Sequence, residues 1–184
     1  MAEAGFLDGT TALLQRTPRV LESLLADLPD GWLEAPDTPG GWTPRDVVGH
    51  LISGELDNWI PRVEAIFERG TTRPFDAFDR FAHVERDAGV PLPVLLERFS
   101  QTRAENVRRL RDVVRDDADL DRRGLHPELG EVTLRQLLAT WTVHDLDHLA
   151  QLTAALAASR DQTVGPWRKL LGILLRREVA AQPG

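Results

Sequence analysis

The chain has 184 residues, of which 42% are hydrophobic and 28% charged. This fits one globular domain, 1–184, that can bury a sizeable core without disulfides. The net charge of −7 disfavours binding to nucleic acid, and the absence of cysteine excludes disulfides, zinc–thiolate sites and cysteine nucleophiles. With no signal-peptide pattern and no apolar run long enough to span a membrane, we expect a cytoplasmic, soluble protein with no membrane partner.

Apolar residues at helical spacing predict a first long helix over about Phe6–Leu28, which Pro18 could kink. A loop rich in proline and glycine follows. Thr43 is a good N-cap for a second helix, which we expect to end near Gly70 and to bend at Pro61. Residues 71–93 look irregular, with room for one short helix.

A third helix is predicted over 93–114, and the polar, turn-rich segment 116–132 is expected to be a surface connection. Thr133 then begins a fourth helix, with Gln136 in capping-box register. A shorter helix in 165–179 should pack on the outside. Four long helices with turn-rich connections indicate an all-α four-helix bundle with a short extra C-terminal helix.

The fourth helix carries His144 and His148 in the sequence TWTVHDLDHLAQL. Side chains four residues apart project from the same side of a helix, and this side also carries Trp141. His50 lies among apolar residues of the second helix, so it should face inward as well. Three neutral imidazoles form a metal site that leaves positions for water or substrate, and zinc, nickel and ferrous iron all accept such ligands.

Each part of this pattern has a simpler explanation. Two histidines four residues apart occur often by chance, and one inward histidine is commonly a core residue bonded to a backbone carbonyl. The conjunction favours a metal, because three buried imidazoles without a shared ligand would leave ring nitrogens without partners.

Other polar residues have weaker claims to a site. His83 is predicted to be a surface histidine, and His126 to be a loop residue or to lie at the mouth of the site. Asp145 and Asp147 should point away from the metal, into solvent or behind the ligands. Asp57 lies on nearly the same helix face as His50 and is our candidate catalytic residue, because it could orient a water or a substrate amine.

Aromatic residues could form a wall beside the site, with Trp59 and Trp141 as candidates. Glu55 and Asp57 are the nearest carboxylates to His50 in the sequence. Neither is placed next to the histidines as a glutamate is in an HExxH motif.

Two stretches of the sequence resemble the DinB-like superfamily, whose branches include the YfiT-type metal-dependent hydrolases and the bacterial low-molecular-weight-thiol transferases. GGWTPRDVVGHLISGELDNWIPRVEAIF is similar to the family's second helix, and HPELGEVTLRQLLATWTVHDLDHLAQL to its last bundle helix with the HxxxH pair. GPWRKLLGIL is also similar to a C-terminal segment of YfiT-like members.

The resemblance implies a four-helix bundle with up-down-down-up topology and a divalent metal held by His50, His144 and His148. Zinc or nickel is expected there, and iron is compatible. It also implies a homodimer, for which the segment DNWIPRVEAIF is one candidate pairing surface.

The activity implied by the resemblance is metal-dependent chemistry on a small molecule. We favour a low-molecular-weight-thiol S-transferase acting on small electrophiles, because a metal-bound thiolate needs no external base. One alternative is a metal-dependent hydrolase. The other is a non-catalytic, metal- or ligand-binding dimerisation module, in which His126 or Asp57 would close the ion off as a fourth ligand.

Overall fold

A computed structural model describes residues 5–175. Its α-helices are α1 (Phe6–Leu14), α2 (Thr17–Leu25), α3 (Pro44–Asp57), α4 (Trp59–Arg69), α5 (Ala82–Arg86), α6 (Leu92–Val113), α7 (Leu134–Ala158) and α8 (Asp161–Val164). Short 3-10 helices cover Asp30–Trp32, Asp117–Asp121 and Gly165–Leu170. The strands β1 (Arg123–His126) and β2 (Gly130–Thr133) pair in antiparallel register. Among the described residues, no helix combines the length and the apolar character needed to cross a membrane.

Four helical segments form the bundle: α1 with α2, α3 with α4, α6, and α7. The pairs α1–α2 and α3–α4 each pack against both α6 and α7. The first and last segments are parallel, since the Arg135 guanidinium of α7 lies 4.9 Å from the Phe6 ring of α1. The α3–α4 and α6 segments are also parallel, since Arg45 at the start of α3 donates to the Val90 carbonyl just before α6. The predicted all-α, up-down-down-up bundle is therefore confirmed.

The first two predicted helices are each divided in the structure. The predicted first helix breaks at residues 15–16, because Pro18 at the start of α2 has no N–H to continue the ladder. The second breaks at Asn58 for the same reason, since Pro61 cannot donate to the Asp57 carbonyl. The Thr43 cap is confirmed: its hydroxyl accepts from the Asp46 N–H and the Asp46 carboxylate accepts from the Thr43 N–H.

The segment DNWIPRVEAIF contributes mainly to the core of its own chain. Trp59, Ile60, Val63 and Ile66 are all buried in the bundle. Its apolar side chains are therefore already covered within one chain, and the homodimer remains a prediction.

Residues 70–91, which we call the crossover segment, return the chain along the bundle. They are needed because α4 ends and α6 begins at opposite ends of the molecule. At one end the Phe75 N–H donates to the Leu125 carbonyl of the hairpin, over 2.9 Å. At the other end Arg86 donates to the Gly49 carbonyl and to the Ser53 hydroxyl of α3, over 2.9 and 3.0 Å. The predicted irregular segment is thus attached to the hairpin at one end and to α3 at the other, and α5 is its one short helix among the described residues.

Two connections differ from the sequence-based expectation. Part of the predicted surface connection 116–132 forms the β1–β2 hairpin. The hairpin packs beside α4 through Gly124, where a Cβ would lie 2.8 Å from Ile66 of α4 and 2.5 Å from the Phe75 ring. The predicted C-terminal helix begins as 3-10 helix over Gly165–Leu170, and its last part, from residue 176, lies outside the described residues.

A buried ionic network crosses the middle of the bundle. Arg103 of α6, with a side chain only 1% exposed, donates to Glu55 over 2.8 Å and to both oxygens of Asp145 over 2.6 and 2.9 Å. Asn106 and Trp141 also donate to the Glu55 carboxylate. Asp145 was predicted to be solvated or to lie behind the ligands, but it is fully buried, because Arg103 gives its charge a partner inside the bundle.

Candidate metal centre

Two bundle segments bring the predicted ligand residues together. His50 lies in the second turn of α3, and His144 and His148 lie one turn apart on α7. His50 and His148 are buried, and His144 is half-buried. The faces of α3 and α7 that point toward each other therefore both carry imidazoles, and these meet inside the bundle.

The three imidazoles converge through their Nε2 atoms. The His144 Nε2 lies 3.2 Å from that of His50 and 3.1 Å from that of His148. A tetrahedral ion with metal–nitrogen bonds of about 2.0–2.1 Å holds its nitrogen ligands about 3.4 Å apart. The spacing of the three side chains is thus close to that of a metal site, and they are a group that could hold an ion.

The hydrogen-bond partners of the Nδ1 atoms indicate which ring nitrogens carry a lone pair that can bind a metal. His50 Nδ1 lies 3.1 Å from the Arg80 carbonyl, and His148 Nδ1 lies 2.8 Å from Gln151 Oε1. Both partners accept hydrogen bonds, so both Nδ1 atoms carry hydrogen, and in the neutral rings each Nε2 presents a lone pair. His144 can donate its one Nε2 hydrogen to only one of these lone pairs. A shared cation satisfies all three, and the Nδ1 contacts orient the rings as they do in metal sites.

Burial also keeps the imidazoles neutral. Desolvation, followed by the charge of His148, lowers the pKa of His50 from 6.5 to about 4. The same two causes, with His50 adding to them, lower the pKa of His144 to about 3. Both rings are therefore uncharged near neutral pH, which is the form that binds a metal.

All three histidines line one open cleft with a volume of about 950 Å³. The cleft runs between the second half of α7, the loop before α3 and the crossover segment. Trp42, Phe81 and Arg80 form one wall, and Asp147 and Gln151 lie on the α7 side. An ion held by the histidines would face this cleft, so a small molecule could reach it.

Aromatic rings support the ligands from below and from the side. Trp59 stacks on Trp141 with ring centroids 5.6 Å apart and meets His144 edge-on at 5.0 Å. Both tryptophans are buried, so they form the floor beneath His144 and not a wall open to solvent. Trp42 provides the wall instead, 4.5 Å from the His50 ring and 6.0 Å from the His148 ring.

The remaining predicted site residues lie elsewhere. Asp57 is exposed at the end of α3 and does not line the cleft, and Glu55 belongs to the Arg103 network. His126 caps the hairpin turn, accepting from the N–H groups of Glu128 and Leu129.

His83 was predicted to lie on the surface, but it is only 2% exposed. It packs between Trp42 and His50, at centroid distances of 5.1 and 5.9 Å. Gly49 makes this approach feasible, because a Cβ there would lie 3.0 Å from the His83 Cβ. The short helix α5, which only tertiary packing places against α3, explains the error.

No sequence pattern indicated most of the residues that orient the three histidines and shape the cleft. Arg80, Phe81 and Trp42 come from segments without periodicity, so no pattern marked them. Gln151 was detectable, since it follows His148 by three residues on the same helix and can therefore reach its ring.

Comparison with known proteins agrees with this geometry. Residues 13–152 match the model of the DinB superfamily. A protein of Oceanobacillus iheyensis is 27% identical over 142 residues, which is 77% of this chain and 80% of that protein, and one of Bacillus mycoides is 28% identical with the same coverage. Both carry the name "Putative metal-dependent hydrolase".

A solved structure shares the fold. YfiT from Bacillus subtilis, described as "a probable metal-dependent hydrolase with an unusual four-helix bundle topology", superposes with a TM-score of 0.73 at 23% identity, covering 89% of this chain and 91% of YfiT. The family match spans most of the chain, from α1 to the end of the histidine pair on α7. The chain belongs to the DinB superfamily.

Proposed function

We propose that this protein is a metal-dependent hydrolase of a small molecule, with His50, His144 and His148 as the ligands of one divalent ion. The observation that carries the proposal is the convergence of three imidazoles, through Nε2, at the bottom of an open cleft. When bound, such an ion supplies Lewis acidity that lowers the pKa of a water or polarises a carbonyl. Zinc and nickel suit the ligand set, and iron is compatible with it.

The chain's own residues supply orientation and proton transfer. Arg80, through its carbonyl, and Gln151 hold the imidazoles of His50 and His148 with their lone pairs directed at the centre. Trp42 shields one side of these two rings from water. The ligand set is thus rigid on one side and open to the cleft on the other, as a catalytic site requires.

Asp147 is our candidate for the proton acceptor. It is exposed and lines the cleft, three residues after His144 on α7, and among the described residues it forms no ion pair. Hydrolysis benefits from a carboxylate near the attacking water. Asp57, the candidate from the sequence, is exposed and does not line the cleft, so we assign it no part in the reaction.

Thiol transfer is the second candidate. A thiolate needs no separate base, and the one buried glutamate near the centre, Glu55, is held by Arg103 and is unsuited to act as one. The chain has no cysteine, so the thiol would come from a second substrate. Neither His126 nor Asp57 lines the cleft, which disfavours the non-catalytic module with a closed ion.

One set of assays separates the candidates. Protein reconstituted with zinc, nickel or ferrous iron is tested on chromogenic esters and amides without thiol, and on monochlorobimane with small thiols. Hydrolysis without thiol that falls at least about 100-fold in Asp147→Asn, but not in the matched Asp57→Asn, is the expected result. Turnover only with thiol would replace the hydrolase by the transferase, and no turnover in either assay would contradict both.

A further inference from the structure

We propose that the substrate carries a carboxylate group and that the guanidinium of Arg80 binds it at the cleft wall. The inference rests on the proposed function, since it names the substrate class of the same site. It begins from an arginine in the cleft that has no counter-ion within the described residues.

Arg80 differs from most arginines of this protein. All twelve ion pairs between described residues involve an arginine, such as Arg86, Arg98 or Arg103, but none involves Arg80. Its side chain also donates no hydrogen bond within the described residues. Arg80 is the one arginine or lysine among the described residues lining the cleft. Its donors are therefore available to a ligand.

Aromatic rings hold this guanidinium in place. Its central carbon lies 5.7 Å from the centroid of Trp42 and 5.0 Å from that of Phe81. This cation–π attraction pairs none of the N–H donors of the guanidinium with an oxygen acceptor, so they are free to bind a ligand. An exposed arginine that is stacked in this way loses less side-chain freedom when it binds an anion.

The guanidinium is also close to the metal centre. Trp42, on which it stacks, is 4.5 Å from the His50 ring, and the backbone carbonyl of Arg80 itself accepts from His50 Nδ1. The cation and a predicted metal ligand therefore contact the same indole ring. A small molecule could bind the ion with its reacting group and Arg80 with a second group.

The chemistry of the wall favours a carboxylate over a phosphate. One guanidinium matches the two oxygens of a carboxylate with two parallel hydrogen bonds. A phosphate group carries more charge and is ordinarily held by several donors or a helix N-terminus. Asp147 on the same cleft would oppose a dianion more than a single carboxylate.

The test uses zinc-reconstituted protein and ω-carboxy hydroxamic acids of increasing chain length, with their methyl esters as neutral partners. The hydroxamate binds the ion, and the tail probes the wall. By calorimetry we expect the acid of best length to bind at least about tenfold more tightly than its ester. Arg80→Gln should reduce this preference to less than about twofold, with zinc content and ester affinity unchanged.

Arg160→Gln is the matched control. The central guanidinium carbon of Arg160 also lies over a tryptophan, 3.9 Å from the Trp32 ring centroid, but Arg160 does not line the cleft. It should keep the full preference. Equal affinity of acid and ester at every length, or a preference that survives Arg80→Gln, would overturn the inference while leaving the metal centre intact. If neither acid nor ester binds, the metal centre itself is refuted and the inference with it.

Discussion

The bundle contains two groups of polar side chains at almost the same level along α7, and they differ in how their polar atoms are satisfied. His144 of the metal centre and Asp145 of the ionic network are neighbours on α7 but face different helices. Asp145 is held by Arg103 and by the Thr17 hydroxyl at 2.6 Å, whereas the histidines meet mainly one another. In the ionic network the charged side chains neutralise one another. In the histidine group the three Nε2 lone pairs point at one another, and only a shared cation can bind all three.

The difference separates structure from function. Along α3–α4, Glu55 lies between members of two apolar clusters, Val47–Ile52 on one side and Trp59–Ile66 on the other. The ionic network therefore fixes the register of three segments in the middle of the core, where a one-turn slip would leave charges unpaired. The histidines lie beside the cleft, where an external ion and substrate can reach them. Their Nε2 atoms converge on one point, and a metal ion bound there best explains this arrangement.

The largest expected effect concerns the ionic network. Arg103→Met leaves Glu55 and Asp145 buried without a counter-charge, and we expect the free energy of unfolding to fall by about 3–5 kcal/mol in urea denaturation. Arg108→Met removes only exposed ion pairs and should have a much smaller effect. Equal losses in the two variants would show that the network does not stabilise the bundle. Metal binding by Arg103→Met, where it folds, should persist.

Metal removal tests the other group. Free metal at about 100 times its dissociation constant should raise the free energy of unfolding by about 2.7 kcal/mol, and chelation should remove this gain. By elemental analysis, His50→Ala and His148→Ala should lose the metal and show no such gain. His126→Ala is the control, because His126 caps a turn outside the cleft, and it should keep both. Stoichiometric metal in either ligand variant would refute the three-histidine site.

The histidine group should make the stability of the metal-free protein depend on pH. Burial lowers the pKa of His50 to about 4 and that of His144 to about 3, so between pH 6.5 and these values the unfolded chain binds protons that the folded chain does not. Stability should therefore be full above pH 6.5 and decline as the pH falls through this window. The double variant His50→Gln/His144→Gln should flatten the decline. If stability declined with the same slope in the double variant, other titrating groups would be responsible for the decline.

The smallest effect compares the two capping boxes. Thr43→Ala and Thr133→Ala each remove an N-cap hydroxyl and should cost about 1 kcal/mol in thermal unfolding. Thr43 follows Trp42 of the cleft wall, whereas Thr133 is the last residue of the hairpin and the N-cap of α7, away from the cleft. Metal affinity, measured by competition with a chelator, should therefore fall only in Thr43→Ala. The same loss of affinity in both variants would mean that the cap acts through global stability alone.

The sequence predicts those parts of the molecule in which apolar or functional residues recur at helical spacing. Apolar spacing marked the four segments of the bundle, and the four-residue spacing of His144 and His148 placed both ligands on one face. The kinks at Pro18 and Pro61 were also detectable, since proline has a fixed local effect.

Residues whose environment is set by distant partners could not be predicted. Asp145 looks like a solvent-facing residue until Arg103, 42 positions away, is placed beside it. Arg80 and His83 lie in a segment whose position depends on the packing of α5 against α3, so their sequence alone indicates only a loop.

The parallel course of α3–α4 and α6 has a consequence for the evolution of specificity. It obliges residues 70–91 to span the bundle, and this detour supplies Arg80 and Phe81 to the cleft while the helices supply the histidines. Changes at the exposed positions 80 and 81 would alter which molecules are accepted without disturbing the packing of the four segments. The two proposed functions, metal binding by the histidines and substrate recognition by Arg80 and Phe81, thus depend on separate stretches of the chain, whose side chains can diverge independently.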